Sequence, residues 1–213
     1  MKKPIDHDAN KHYHEYIAKC VLEKYFPYLF SELSMEDAPD LRTPDGRGVE
    51  VTWAVNHTDA ESSFLLSKII NLTLEDADPK IVAKLEKLDQ SLLFYPGTKR
   101  IIGCSPEETS QGIEELTDIS SDKIDKTRQY KMETDLFIFT PMMGFYDDEE
   151  IKEYILWMKE AQKYREHIYK TVFIFDYEHI WKCDILTSRF VKTRIEKSDI
   201  DGIIDDALSK YYK

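Results

Sequence analysis

Behind a first helix and a hairpin, the chain alternates helix-period and strand-period segments almost to its last residue. That alternation limits it to an α/β or α+β fold, with a mixed central β-sheet flanked by helices. The first helix is predicted over 10–26, where Tyr13, Ile17, Val21 and Tyr25 recur every four positions and Pro27 stops the run. Two short extended runs, 38–43 and 49–55, then flank an Asp45-Gly46 turn and read as a β-hairpin. Helices are predicted over 59–72, with Phe64, Leu65, Ile69 and Leu72 on one side, and over 79–90 behind Pro79. Strands 91–95 and 99–104 follow. The polar stretch 105–121 reads as loop with at most one helical turn. Helix 122–132, strand 134–140, helix 147–166, strand 171–177, an alternating run over 180–191 and a helix over 199–212 complete the series.

At 213 residues the chain is expected to be one domain, 1–213, with peripheral helices, and 42% apolar residues are enough to fill its core. No apolar run approaches the roughly 20 residues of a membrane span. The opening Met1-Lys2-Lys3-Pro4-Ile5-Asp6-His7-Asp8 lacks the apolar stretch of a signal peptide, so the expected compartment is cytoplasmic. Cys20, Cys104 and Cys183 are odd in number and far apart, which fits small core residues better than a disulfide framework or a zinc knuckle. A net charge of −12 argues against nonspecific coating of nucleic acid. It leaves room for a local basic groove, because screening over about 8 Å isolates such a groove from acidic surroundings.

The chemistry is concentrated around the hairpin. Asp40 opens one strand and Glu50 lies in the partner strand, so the two carboxylates are placed to face the same side. A hard cation suits that arrangement, since Mg²⁺ is typically held by one or two carboxylates together with water and substrate phosphate. Pro44-Asp45 belongs to the turn itself, where Asp before Gly is expected for backbone reasons.

These residues resemble the PD-(D/E)XK nuclease superfamily, the restriction-endonuclease-like fold: a helix bearing an acid, then Pro39-Asp40, the turn, and Glu50-Val51-Thr52. The resemblance implies a restriction-endonuclease-like core in which Asp40 and Glu50 bind Mg²⁺ or Mn²⁺ and Val51 contributes a carbonyl. It also implies a helix acid, for which Glu15 is the choice and Glu23 the alternative. Thr52 departs from the pattern by standing where the family has its lysine, and a hydroxyl cannot replace an ammonium beside developing charge. Lys68 is the expected substitute, because Glu61, Phe64 or Leu65, and Lys68 share a face of helix 59–72.

Other features carry less. His12 and His14 are two apart on a helix and splay onto different faces, and His57 suits a turn as well as a site. Lys123, Lys126, Arg128 and Lys131 make one segment basic, as Arg189, Lys192, Arg194 and Lys197 do another. Either reads as solvated charge or a phosphate rim. The function expected first is a divalent-metal-dependent nuclease hydrolysing DNA or RNA phosphodiesters. A catalytically inactive nuclease-fold interaction module is the second reading, and an acidic immunity- or antitoxin-like binding protein the third. The expected partners are nucleic acid, DNA before RNA, and no membrane, with a homodimer left open.

Overall fold

Thr134–Phe139 and Thr171–Phe175 are buried along their whole length, and this is what central parallel strands covered on both faces require. Alternation sorts their side chains. Phe137, Phe139, Phe173 and Phe175 enter one core, while Leu136, Ile138, Val172 and Ile174 enter the other. Burying each phenylalanine stabilises the fold by about 1.5–3 kcal/mol.

The computed structural model describes residues 7–54, 62, 64–66, 68, 69, 72–88, 90–94, 101–106, 113–130, 132–140 and 146–211. In chain order the elements are α1 (His7–Tyr25), β1 (Ser34–Met35), β2 (Leu41–Arg42), β3 (Gly48–Trp53), α2 (Pro79–Lys87), β4 (Gln90–Phe94) and β5 (Ile101–Pro106). They continue with α3 (Ile113–Lys126), a 3-10 turn Thr127–Gln129, β6 (Thr134–Phe139), α4 (Asp148–Ala161), β7 (Thr171–Phe175), β8 (His179–Asp184), β9 (Arg189–Arg194) and α5 (Lys197–Tyr211). The chain divides into two compact units, Met1–Ala54 with Gly112–Lys213, and Val55–Gln111.

The larger unit is built on a seven-stranded mixed sheet of order β1-β2-β3-β6-β7-β8-β9. Its centre is parallel, β3 beside β6 and β6 beside β7, and both flanks are antiparallel. The fold is therefore the mixed α/β arrangement that the alternation predicts. Helices α1 and α5 cover one face through Ile17, Val21, Leu22, Ile200 and Ala207. Helices α3 and α4 cover the other through Leu116, Ile124, Ile151, Ile155 and Met158. The start of α4 is fixed by a capping box, with Asp147 as N-cap and Glu150 reaching back. Among the described residues no helix is long and apolar enough to cross a membrane.

The smaller unit carries α2, N-capped by Asp78, and the antiparallel pair β4–β5. Leu65, Ile69, Ala77, Leu85 and Ile101 form its own small core.

Two readings of the sequence change. The segment 105–121 is not all loop, because α3 begins at Ile113. Its buried stripe is Leu116, Ser120 and Ile124, and Ser120, which resembles a turn residue, is buried against the Tyr154 hydroxyl at 2.7 Å. Of the helix expected over 59–72, residues 62 and 64–66 are helical, Lys68 and Ile69 stand in a turn and Leu72 in a bend, while Glu61 and the rest lie outside the described residues. His57 and Lys131 also lie outside them. Cys183 is fully buried and Cys20 half-buried, as small core residues would be.

Candidate functional site

The pairing of Leu41 with Val49 sets Asp40 across from Glu50, one step beyond the end of β2. There the Asp40 Oδ2 accepts the Val51 N–H at 2.8 Å, on the side of β3 that β2 no longer covers. Gly48 makes this possible: a Cβ there would stand 2.3 Å from the Pro39 ring, so only glycine lets Pro39 lie against the strand and deliver Asp40.

Helix α1 supplies the next layer. Lys11, Glu15, Ala18 and Leu22 follow one another at helical spacing, so the stripe that buries Ala18 and Leu22 carries the two charged residues at its head. The Lys11 Nζ lies 3.0 Å from Asp40 Oδ1 and 3.2 Å from Glu15 Oε1. The second Glu15 oxygen, Oε2, is 2.9 Å from His12 Nδ1. Both carboxylates are buried, Glu15 to 1% exposure and Asp40 to 4%. Burial pushes the Asp40 carboxyl above the usual aspartate range, opposed by the Val51 N–H and by Lys11 and reinforced by Glu15. Burial also works against the Lys11 ammonium, but Asp40 and then Glu15 outweigh it and hold the lysine well above its ordinary value.

Glu50 belongs to the other layer. Val49 and Val51 join the core beneath α1, so alternation turns Glu50 toward α3 and α4. There Lys123 Nζ donates to Glu50 Oε1 at 2.5 Å, and the Tyr130 hydroxyl donates to Oε2. Tyr169 donates to the Lys123 carbonyl oxygen at 3.3 Å. Burial, and then the hydrogen bond to Glu50, push the Tyr130 hydroxyl well above the ordinary tyrosine range, which keeps it a donor.

The sequence-based candidates therefore divide. Glu15 and Asp40 meet at one ammonium, while Glu50 is held from the opposite helix layer, and among the described residues no one cation touches all three. Among the described residues no group of three or more His, Cys, Asp or Glu gathers closely enough to hold a metal ion. Glu23 drops out as the helix acid because its carboxylate binds Lys19 and the Leu33 N–H, tying α1 to the segment behind it. Val51 enters through its N–H. Lys68 belongs to the Val55–Gln111 unit, with its Nζ 4.0 Å from the centre of the Phe64 ring. Among the described residues, Lys11 and Lys123 are the ammonium groups that meet Glu15, Asp40 and Glu50. For Lys11 the signal was its place four residues before Glu15. For Lys123 a one-dimensional pattern holds none.

A cavity of about 170 Å³ opens beside Lys11 and Glu15, floored by Val51 and Thr52 and walled by His14, Trp53 and Phe139. The His14 ring lies 4.2 Å from Trp53 and 5.3 Å from Phe139, centre to centre, so it is buried among rings rather than part of a fraying polar helix end, while His12 turns to Glu15. The donor set fits a hard cation: two buried carboxylates turn oxygens toward one point, Glu15 Oε1 makes no hydrogen bond there, and the cavity has room for water.

No protein-family model matches the chain, and no curated protein or solved structure matches it either.

Proposed function

We propose that the chain is a divalent-metal-dependent nuclease of the restriction-endonuclease-like kind, acting in the cytoplasm on DNA before RNA. The observation that carries this reading is the convergence of Glu15 and Asp40 on one cationic point at the mouth of an aromatic-walled cavity. Glu15 and Asp40 would hold Mg²⁺ or Mn²⁺. Bound there, the ion supplies Lewis acidity and lowers the pKa of a water molecule. The chain's own residues do the rest. Lys11 offers its ammonium to a phosphate oxygen in place of the lysine that Thr52 replaces, and the half-exposed Trp53 offers a face to a base. Lys123 and Tyr130 hold Glu50 in a fixed rotamer behind β3. The test is cleavage of labelled single-stranded DNA, duplex DNA and RNA in Mn²⁺. Wild type should cleave, and Asp40→Asn should be slower by about 10²-fold or more.

A second reading, an inactive interaction module of the same fold, draws on the charge balance: each candidate carboxylate already has a cation of the protein beside it. Binding of nucleic acid without cleavage in Mg²⁺ or Mn²⁺ would select it. A homodimer is compatible with either reading and is checked by light scattering.

A further inference from the structure

We infer that the Lys11 ammonium is a tethered cation that occupies the divalent-metal position between Glu15 and Asp40, so that metal binds only as the lysine swings out. This rests on the nuclease reading and adds a control to the same site.

The geometry is specific. Each carboxylate has one oxygen pinned by a protein donor, Glu15 Oε2 by His12 Nδ1 at 2.9 Å and Asp40 Oδ2 by the Val51 N–H at 2.8 Å. The remaining oxygens, Glu15 Oε1 and Asp40 Oδ1, turn toward a common point, and Lys11 Nζ fills it at 3.2 and 3.0 Å. Glu15 Oε1 is buried and makes no hydrogen bond, so the ammonium neutralises that oxygen without satisfying it. Two buried carboxylates need a cation, and a single ammonium balances one of their two charges whereas a divalent ion balances both. Lys11 is free to leave. Its side chain is 44% exposed on a flexible stem and borders the open cavity, whereas the two carboxylates are fixed by their other oxygens. Ammonium and metal exclude each other by occupying one point and by repulsion. The apparent metal affinity of wild type is therefore the intrinsic affinity reduced by the fraction of molecules in which Lys11 is displaced.

Terbium(III) luminescence, sensitised by Trp53 in the same cavity, reads metal binding on the full chain without reference to cleavage, and thermal unfolding in Mn²⁺ gives a second readout. Lys11→Met should bind terbium at least tenfold more tightly than wild type, melt lower than wild type in EDTA, and gain more on adding Mn²⁺. Lys11→Arg, which keeps the charge, should stay near wild type, and Asp40→Asn should abolish binding in the Lys11→Met background. If Lys11→Met does not fold without metal, Lys11→Gln, whose amide still donates to a carboxylate, is read by the same criterion. Equal or weaker binding by the neutral variants, with wild type binding well, would overturn the competition and leave the nuclease reading in place. Absence of binding in wild type and in every Lys11 variant would overturn both.

Discussion

Lys123 on α3 and Glu50 on β3 form a nearly buried ion pair, 2.5 Å from Nζ to Oε1, across 73 residues of sequence. Their side chains are only 13% and 10% exposed, so neither partner has water to fall back on if the other is removed. Lys123→Met should therefore destabilise the protein by about 3–5 kcal/mol, because Glu50 is left buried with Tyr130 as its remaining partner. Urea unfolding measures this. Combining Lys123→Met with Glu50→Gln should restore most of the loss; additive losses would show that the two are not coupled.

Gly48 and Pro39 set the position of Asp40. With only 2.3 Å between the Pro39 ring and a Cβ at residue 48, Gly48→Ala forces the two apart. The expected cost is about 1–3 kcal/mol of stability. Because the displaced segment carries Asp40, terbium affinity should fall in the same variant. A drop in stability with unchanged affinity would detach Asp40 from this contact.

Helices α1 and α5 are joined at Asp199, which takes Lys24 Nζ at 2.8 Å and the Tyr25 hydroxyl at 2.9 Å. Lys24 first and Tyr25 second hold the Asp199 carboxyl below the usual aspartate value of 3.8. A depressed folded value means that the contribution is present above the unfolded value and is lost as pH falls through the folded one. The melting-temperature gap between wild type and Asp199→Asn should thus be constant from pH 7 to about 5 and close below about 4. A gap that does not change down to pH 2.5 would mean that the charge of Asp199 contributes nothing there.

Trp53 is 38% exposed at the rim of the cavity, with the His14 ring against it at 4.2 Å, centre to centre. On the nuclease reading, Trp53→Ala should weaken binding of a single-stranded oligonucleotide by about 1–3 kcal/mol. The slope of affinity against salt should stay as in wild type, since no phosphate contact is lost. Fluorescence anisotropy over a salt series measures both, and unchanged affinity would remove Trp53 from the substrate path.

Much of this was legible in one dimension. The four-residue recurrence of Ile17 and Val21, the Asp45-Gly46 turn and the strand at 134–140 each report local geometry, so α1, the β2–β3 hairpin and β6 follow from spacing alone. Asp40 and Glu50 were visible for the same reason, because a short hairpin places its strands opposite one another. The start of α3 is hidden in the sequence because Ser120 looks like a breaker until Tyr154, on a different helix, supplies its partner.

Counterions are another matter. Which cation neutralises a buried carboxylate depends on which helix the sheet brings over it, and spacing along the chain does not contain that. Lys123, 73 residues away in sequence, reaches Glu50 because α3 covers the face to which alternation turns it. Lys11 meets Asp40 because the start of α1 comes against the residue just before β2, one step beyond the strand's end. The sequence by itself determined most of the elements, their order and the acids of the hairpin, because these rest on contacts between near neighbours in the chain. Only the tertiary structure decided that Glu15 pairs with Asp40, that Glu50 faces the opposite layer and that two distant lysines balance them, because burying a charge selects its partner by distance in space.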